Sequence, residues 1–480
     1  MPRAKEKHSA VGLPAGLLAA GFVALALAPL LAARLSGVEA VEPLHEFGTA
    51  LGLTAGALIL LQFLSSGRYE GLSGRVGLDR TMGFHRIASY GLLLFALLHP
   101  LGYVAATFVT DPSAAWSRLT GMMASPRLRT GVVALAGLIL LVVLGTLRDR
   151  VGWRYETWRA SHGLMASAVA ALVLHHAFTT GAYSPERLVY YYWIAGAAVA
   201  AVALLNVYAV RPWRMWRAGW QVESVTRLAA RTWGMTLICS DPGRFDFRGG
   251  QFIWLTLAPN RPPFHDHPFS IASAPAELPR LRLIVREAGD CTNRFGETRP
   301  GTRAAVDGPH GSFFLHDADK RVIMVAGGVG IAPLIGMLEE AASQRDGRSF
   351  QLLYAAQSPD EVAGIERLKE LQAQLDLSVR YLVDTGARAP AFLQGPVGPE
   401  HLKEAVGPSP RDTMAYVCGP PGMMENVADT LLTLGVPASA IHYERFDFGA
   451  GKGRIDRQRR WQAIALLMAL VAGMVLFSLG

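Results

Sequence analysis

The chain has 480 residues, of which 51% are hydrophobic, and a formal net charge of +8. That length allows about two to four domains, each with an ample core. The basic residues cluster at the ends of apolar runs, which is typical of a membrane protein, and without a basic stripe we expect no nucleic-acid partner. The three cysteines, Cys239, Cys291 and Cys418, form no CxxC pair, which argues against a disulfide framework and a thiolate metal site.

Six apolar runs in the first half of the chain are long enough to span a bilayer. They cover residues 11–33, 44–64, 83–109, 130–147, 162–182 and 189–210. The first run is too long for a signal peptide, so we interpret it as a retained helix. Basic residues precede the first, third and fifth runs and follow the sixth, which predicts that these ends are cytoplasmic.

Histidines occur at matched positions in the third and fifth runs. His85 and His99 are fourteen residues apart, which on a helix is about 21 Å, with the two rings within about 40° of each other. His162 lies near the start of the fifth run, and His175 and His176 lie near its end. Because ionisable residues in hydrocarbon are usually functional and imidazole binds haem iron, the pattern predicts two stacked bis-histidine haems.

In this arrangement His85 and His162 form the inner pair, and His99 forms the outer pair with His176 or His175. The spacing of fourteen residues from His162 favours His176, since His175 would need a local bulge or rotation. A single intramembrane histidine would more often only bond to a neighbouring helix. A matched set of four favours haem ligation.

The predicted external side carries residues that fit an electron acceptor. Arg118, Arg127 and Arg129 would attract an anionic ferric chelate, and His45 would suit a metal ion. Interfacial arginines that extend toward water and a solvated loop histidine are equally good explanations.

The pattern changes after Trp216, where the apolar runs shorten to strand length. Short apolar segments with turn signals predict a small antiparallel barrel over residues 218–316. From residue 320, strand and helix patterns alternate, which predicts an open parallel sheet with crossover helices. Gly327, Gly328 and Gly330 follow its first strand and open a helix, a position where backbone amides bind a pyrophosphate.

Four motifs in order carry a resemblance to a known family. They are HPFSIAS at 267–273, GPHG at 308–311, GGVGIAP at 327–333 and CGPPGMM at 418–424. This order and spacing resemble the dehydrogenase module of the ferredoxin-NADP reductase type. Joined to six spans with paired histidines, the chain resembles the bacterial branch of the ferric reductase and NADPH oxidase superfamily over about residues 44–448.

The resemblance implies an FAD site, with the Ser270 hydroxyl as a catalytic group near the reactive ring nitrogen and His267 toward the phosphates. The implied FAD residues are His267, Pro268, Phe269, Ser270, Val285, Arg286 and Thr292. Cys291 replaces the aromatic residue that is usual before this threonine, so the phosphate contact differs in detail. Phe446 or Phe448 matches the aromatic residue that shields the flavin in relatives.

The resemblance also implies an NAD(P) site, with Cys418 as a catalytic group beneath the nicotinamide. The implied residues are Gly327, Gly328, Gly330, Pro333, Cys418, Gly419 and Pro420. After the second strand the segment YAAQSPDE contains no arginine for a 2′-phosphate and contains the acidic Asp360, whereas Ser358 and the later Arg388 would suit a phosphate. The resemblance favours NADPH over NADH.

The predicted fold is multi-domain. An all-α transmembrane six-helix bundle (residues 1–213) precedes a soluble FAD-binding β-barrel (214–318) and an α/β parallel-sheet NAD(P) domain (319–450). The final segment, 451–480, is a basic linker followed by a seventh apolar run of about 20 residues, long enough to span the membrane and end outside.

The expected function is transmembrane electron transfer from cytoplasmic NAD(P)H through FAD and two haem b groups to an external acceptor. A ferric chelate is the favoured acceptor. One alternative is an NADPH oxidase that makes superoxide, and another is a membrane subunit that delivers electrons to a partner protein docked on the seventh helix. The expected location is a bacterial inner (plasma) membrane.

Overall fold

The computed structural model describes residues 12–66, 69, 74, 76–241, 243, 245–259, 266–289, 291–316, 321–387, 391–445 and 451–480. The chain divides into two compact units. The described residues of one unit fall within Gly74–Asp79 and Ala209–Gln458, and those of the other fall within Gly12–Ser73, Arg80–Tyr208 and Arg459–Gly480. The first contains all the strands assigned among the described residues, and the second is helical.

Seven helices among the described residues are long and apolar enough to cross a membrane. In chain order they are α1 (Ala15–Leu35), α2 (Pro43–Leu61), α3 (Leu78–Gly102), α6 (Arg129–Thr146), α8 (Tyr155–Thr180), α9 (Arg187–Leu205) and α15 (Arg454–Leu479). Shorter helices connect them, namely α4 (Ala105–Thr110), α5 (Pro112–Ala124) and α7 (Arg148–Val151), and a π-helical turn at Asn206–Val210 joins α9 to α10 (Arg211–Arg217). The sequence predicted each long helix, with ends that differ by up to seven residues.

The structure divides the third apolar run, residues 83–109, into helices differently from the prediction. Helix α3 begins at Leu78, five residues before the apolar run, because the polar first turn is still helical. It ends at Gly102, where a Cβ would lie 2.4 Å from the Cα of Gly48. The close approach of these two glycines holds the end of α3 against α2, and the chain turns there before α4.

Helix α2 is the centre of the helical unit. In its most apolar 18-residue window 72% of residues are buried, compared with 11% to 28% in the other six helices. Three glycines at four-residue spacing, Gly48, Gly52 and Gly56, lie along one face. Such small-residue spacing lets neighbouring helices approach closely. Gly56 contacts Trp193 of α9, and the other two contact α3.

The C-terminal helix α15 packs inside the helical unit. Leu470 and Met474 are fully buried on one face, whereas Trp461, Met468 and Leu476 on other faces are exposed. Leu467 lies against Gly91 of α3, and Leu27 of α1 lies against Gly473.

The strand-containing unit begins with a six-stranded antiparallel sheet in the order β4-β3-β6-β1-β2-β5. Its strands are β1 (Trp220–Ala229), β2 (Thr232–Cys239), β3 (Phe252–Leu257), β4 (His267–Ser270), β5 (Arg280–Arg286) and β6 (Arg303–His310). A bridge between Ile271 and Leu283 joins the two edges, so the sheet closes into the predicted barrel around an apolar core.

A parallel sheet follows in the order β10-β9-β8-β7-β11-β12. Its strands are β7 (Arg321–Gly327), β8 (Phe350–Ala356), β9 (Leu377–Val383), β10 (Phe392–Gln394), β11 (Thr413–Cys418) and β12 (Ile441–Tyr443), and the helices between them are α11 (Ile331–Ser343), α12 (Ile365–Gln372), α13 (Pro399–Val406) and α14 (Pro421–Thr433). The sequence missed the three-residue edge strands, which are too short to show a pattern. The order reverses beside β7, whose carboxyl end therefore marks the expected ligand crevice.

Candidate functional site

The bundle brings the predicted histidines together in two pairs. His99 of α3 and His176 of α8 line one cavity of about 350 Å³. His85 and His162, one level away along the same two helices, lie close enough for their charges to interact. The two helices therefore present their histidines at matched levels, as the equal spacing predicted. Their role as haem ligands is a proposal, developed below.

The adjacent histidines of α8 face different surroundings. His176 is partly buried and lines the cavity, whereas His175 is exposed and is not among the lining residues. The helix reaches this arrangement without a π bulge between Tyr155 and Thr180. Of the two alternatives that the sequence left open, the geometry favours His176.

Three of the four paired histidines have their Nδ1 atom bonded to an acceptor. His99 Nδ1 donates to the Gly48 carbonyl oxygen at 2.7 Å. His176 Nδ1 lies 3.0 Å from the Thr180 hydroxyl, which itself donates to the His176 carbonyl at 2.7 Å and so accepts from the ring.

His85 follows the same arrangement. Its Nδ1 lies 3.0 Å from the Ser65 hydroxyl, which donates to the side-chain oxygen of Gln62 at 2.6 Å. A partner on Nδ1 fixes the tautomer and leaves the Nε2 lone pair available, which is the arrangement of metal-bound histidines. The fourth ring, His162, stacks on Trp158 at 5.1 Å, and the guanidinium of Arg148 lies 4.9 Å from the Trp158 ring.

Glycines on neighbouring helices make room for the two rings at the cavity. A Cβ on Gly52 would lie 2.4 Å from His99 Cε1, and one on Gly131 would lie 2.7 Å from His176 Nδ1. Any larger residue at either position would displace the imidazole. The glycines therefore leave space at the positions where the two rings face the cavity.

The residues present fit a haem. Among the described residues no group of three His, Cys, Asp or Glu side chains could hold a bare metal ion. Pairs of histidines instead suit an iron that brings its own four equatorial nitrogens. The cavity between His99 and His176 is lined mainly by apolar residues, as a porphyrin face requires, and its wall also carries buried polar atoms that have no hydrogen-bond partner in the described part of the chain.

The predicted flavin segment forms β4 and its neighbours in the barrel. His267, Pro268, Phe269 and Ser270 pair in register with Leu255, Trp254, Ile253 and Phe252 of β3. After Ser270, the carbonyl of Ile271 lies against Gly336 of α11, where a Cβ would be 2.4 Å away. This contact holds the end of β4, the predicted flavin segment, against α11, the helix that follows the glycine loop.

The second predicted flavin segment reaches the same junction. Val285 is buried in the barrel core. Arg286 pairs with Glu361 at 3.0 Å and lies beside Gly328. Thr292 accepts the Ala288 amide N–H at 2.8 Å. The structure therefore brings Arg286 of the barrel to the glycine loop of the nucleotide domain.

The glycine loop packs tightly on the end of β11. A Cβ on Gly330 would lie 2.2 Å from the Cys418 carbonyl oxygen, and one on Gly419 would lie 2.9 Å from Gly327 Cα. Pro420 contacts Gly327 in the same way, and Pro333 is buried in the first turn of α11. These glycines thus allow the carboxyl ends of β7 and β11 to come together at the place where a dinucleotide would cross them.

Cys418 is buried at this meeting point. Burial, with a smaller contribution from the charge of Glu444, raises the pKa of its thiol to about 12. A thiol with this pKa stays protonated at neutral pH, so Cys418 would act as a neutral group beside a nicotinamide.

A buried ionic cluster joins the barrel to α11. Glu339, with 4% of its side chain exposed, accepts from Arg282 of β5 at 2.8 Å and from Arg367 of α12 at 2.5 Å. Burial alone would raise the pKa of Glu339, but hydrogen bonds from Arg367 and the charge of Arg282 hold it below the usual value. The adjacent Glu340 binds Arg248 at 2.6 Å. This cluster stabilises the arrangement of the two domains in which the flavin and nucleotide segments meet.

Three predicted residues, Phe446, Phe448 and Arg388, lie outside the part of the chain that the structure describes. The sequence reading also missed residues that support the histidines: Ser65, Thr180, Gly48, Gly52 and Gly131. A signal existed for two of these, since the spacing of Gly48, Gly52 and Gly56 marks a helix face for close packing. No signal identified Ser65 or Gly131, because their partners are distant in the chain.

Comparison with curated proteins gives relatives that match just under half of the chain. The chain is 27% identical over 235 residues to the electron transfer component of 2-halobenzoate 1,2-dioxygenase of Burkholderia cepacia, covering 47% of this chain and 66% of that protein. It is 27% identical over 210 residues to a flavohemoprotein of Oceanobacillus iheyensis, covering 42% of this chain and 51% of that protein. The chain thus spans about half to two thirds of these relatives.

Two solved structures are each similar to about half of the chain. The flavohem-like FAD/NAD-binding domain of nitric oxide dioxygenase from Vibrio cholerae is 25% identical, with a TM-score of 0.43, and covers 48% of this chain and 99% of that one. A ferredoxin NADP+ reductase from Neisseria gonorrhoeae is 22% identical, with a TM-score of 0.41, covering 47% and 96%.

Family models match three successive parts of the chain. The ferric reductase like transmembrane component matches residues 51–174, an FAD-binding domain matches 229–312, and an oxidoreductase NAD-binding domain matches 324–429. The transmembrane match includes His85, His99 and His162 and ends two residues before His176. The other two matches cover most of the barrel and most of the parallel sheet. The order of these matches, a ferric reductase like transmembrane component followed by FAD-binding and NAD-binding domains, is that of the ferric reductase-like superfamily.

Proposed function

We propose that this protein is a transmembrane reductase that moves electrons from NAD(P)H through FAD and two bis-histidine haems to an acceptor across the membrane. The observation that carries the proposal is the pairing of His85 with His162 and of His99 with His176 on two membrane-length helices. The FAD-binding and NAD-binding domains supply the electron source. In the orientation that the basic residues predict, these domains are cytoplasmic and the His99–His176 pair is near the external side.

The groups bound at these sites would supply the redox chemistry, since a flavin accepts a hydride and passes single electrons to haem iron. The side chains position these groups. Gly327, Gly328 and Gly330 would receive the pyrophosphate of the dinucleotide, and the Ser270 hydroxyl and the protonated Cys418 thiol would contact the reacting rings. Bonds at Nδ1 to Gly48, Ser65 and Thr180 orient His99, His85 and His176 and leave Nε2 as the atom that would hold a haem iron.

The preferred acceptor is a ferric chelate. Two histidines on each iron would leave no open coordination position, so an acceptor would be reduced at the porphyrin edge. Arg118, Arg127 and Arg129 are exposed. They flank Met122, Met123 and Leu128, which line the cavity of His99 and His176. Cationic side chains around this entrance would concentrate an anionic chelate.

The packing of α15 bears on the partner-protein alternative. One face of this helix already contacts α1 and α3 of the same chain, through Leu27 and Gly91. That contact gives α15 a role within the bundle, so we prefer the reductase. Superoxide production from oxygen needs no anion site. The experiment must therefore distinguish an oxidase from a ferric reductase.

The experiment is stopped-flow absorbance of the purified protein. After anaerobic reduction with NADH or NADPH, the haem bands are followed on mixing with ferric citrate or with air-saturated buffer. Faster reoxidation by ferric citrate supports the ferric reductase. Faster reoxidation by oxygen with superoxide formation identifies an oxidase, and absence of haem from the purified protein refutes the proposal.

A triple variant tests the arginines. Replacing Arg118, Arg127 and Arg129 with glutamine should raise the Michaelis constant for ferric citrate several-fold and leave that for the neutral acceptor oxygen unchanged. An equal Michaelis constant for ferric citrate in the wild type and the triple variant would contradict the role of the arginines. The matched control replaces Arg227, an exposed arginine of the barrel, with glutamine and should have no effect.

A further inference from the structure

The cavity of His99 and His176 has one polar end. Its apolar lining includes Leu53, Leu92, Leu138 and Val169. Besides His99, His176 and Trp193 of α9, whose Nε1 also has no partner among the described residues, the polar lining residues come from the start of α2, the end of α3, the end of α8 and the turns beside them: His45, Thr49, Tyr103, Thr180 and Ser184. The start of α2 and the ends of α3 and α8 lie at the same end of the bundle.

Most of these polar groups have protein partners. The hydroxyls of Thr49 and Tyr103 are 3.2 Å apart, and Thr180 bonds to His176. Two groups differ: His45 Nδ1 and Ser184 Oγ are buried and have no hydrogen-bond partner among the described residues. Ser184 is only 3% exposed. Buried donors normally find partners, so two such atoms on one cavity wall indicate a missing acceptor.

A buried contact holds these two residues near each other. The Tyr183 hydroxyl donates to Glu46 Oε2 at 2.9 Å. This bond links the residue before Ser184 to the residue after His45. The other Glu46 oxygen accepts the Val41 N–H at 3.1 Å. Glu46 is therefore occupied by its own donors and leaves His45 and Ser184 for another group. The ring of His45 is further fixed by Tyr103, at 4.8 Å between centroids.

We propose that His45 and Ser184 bind a carboxylate at this end of the cavity. A carboxylate accepts hydrogen bonds at two oxygens and donates none, which complements an imidazole N–H and a hydroxyl. Two sources share this chemistry. One is a propionate of the haem between His99 and His176, which rests on the proposed function. The other is a carboxylate of the ferric chelate that enters from outside.

The test compares His45→Leu, His45→Gln, Ser184→Ala and Thr54→Val in the full-length protein. His45→Gln keeps a donor. Thr54 is the matched control, since its hydroxyl is also buried, has no hydrogen-bond partner within the ranges that the structure describes, and does not line the cavity. Haem content is counted first. Spectroelectrochemical titration then gives the midpoint potential of each haem, and steady-state kinetics gives the Michaelis constant for ferric citrate.

Removing a donor from a propionate leaves its negative charge less compensated and disfavours the added electron. We therefore expect His45→Leu and Ser184→Ala to lower the midpoint potential of one haem, with His45→Gln restoring it and Thr54→Val leaving it unchanged. An unshifted potential with a several-fold higher Michaelis constant for ferric citrate assigns the carboxylate to the chelate.

Unchanged potentials and Michaelis constants in both donor deletions overturn the inference. If His45→Leu fails to assemble haem, Ser184→Ala, which loses a single oxygen atom, decides the question alone. Wild-type protein that lacks haem refutes the proposed function, whereas haem-replete variants with unchanged potentials and unchanged Michaelis constants refute only the carboxylate site.

Discussion

His99 donates its Nδ1–H to the carbonyl oxygen of Gly48 at 2.7 Å, so the lone pair on its other ring nitrogen is available. This carbonyl belongs to α2, the buried central helix, and the imidazole belongs to α3. The bond is possible because Gly48, Gly52 and Gly102 bring the two helices into close contact. The orientation of the proposed ligand therefore depends on small residues of a different helix.

Gly52→Ala should remove one haem. The new Cβ would lie 2.4 Å from His99 Cε1 and would push the ring away from its bond to Gly48. Gly131→Ala should act in the same way on His176. Haem per FAD, measured as the pyridine haemochrome, should fall from two toward one. Gly145→Ala, on the same helix as Gly131 and with no atom within 4 Å of the new Cβ, should keep both haems.

His176→Leu and His175→Leu should differ sharply. His176 lines the cavity with His99, whereas His175 is exposed, so only the first substitution removes a proposed ligand. We expect loss of one haem in His176→Leu and full haem content in His175→Leu. The reverse pattern in the haemochrome assay would show that the helix rotates when haem binds.

Gly330→Ala should impair reaction with NAD(P)H but not flavin binding. Its Cβ would lie 2.2 Å from the Cys418 carbonyl oxygen, so the glycine loop would move off β11. Overpacking of this kind costs about 1–3 kcal/mol, which corresponds to a loss of roughly 5- to 150-fold in the rate of flavin reduction. Gly422→Ala meets nothing within 4 Å and is the control. Equal rates in the two variants would argue against the dinucleotide loop.

Glu339→Gln should destabilise the FAD and nucleotide domains by about 2 kcal/mol, because it leaves two arginines partly buried without their shared carboxylate. The folded pKa of Glu339 lies below its usual value, so its stabilisation is complete above the unfolded pKa and is lost as the pH falls through the folded pKa. The difference in Tm between wild type and variant should therefore shrink as the pH falls below about 4.5.

Exposed Glu366 pairs with Lys369 at 2.8 Å and provides the control for this experiment. Glu366→Gln should change stability by less than about 0.5 kcal/mol. A Tm difference for Glu339→Gln that stays constant down to pH 3 would show that its ionisation contributes nothing.

Native protein should react with iodoacetamide at one cysteine at pH 8. Cys291 is exposed, whereas burial raises the pKa of Cys418 to about 12 and also raises that of Cys239. Thiols react as thiolates, so these two should be protected. Cys291→Ser should abolish rapid labelling in mass spectra of the digested protein. Label on the Cys418 peptide at a similar rate would contradict a protonated buried thiol.

The sequence by itself determined the membrane spans, the order of the barrel and the parallel sheet, and the equal spacing of two histidines on two helices. These features depend on local periodicity and composition, which hydrophobic burial and backbone geometry translate directly into helices and strands. It also predicted the segments of the flavin and nucleotide sites, because each segment is continuous in the chain.

Only the tertiary structure decided which of His175 and His176 faces the cavity, which acceptors fix the rings, and which polar atoms lack partners. Helix rotation depends on packing against all neighbouring helices at once. The contacts of His99 with Gly48 and Gly52, of Gly330 with Cys418 and of Tyr183 with Glu46 join segments that are far apart in the chain. Such contacts leave no periodic signal in a single sequence, since any small or polar residue pair would look the same.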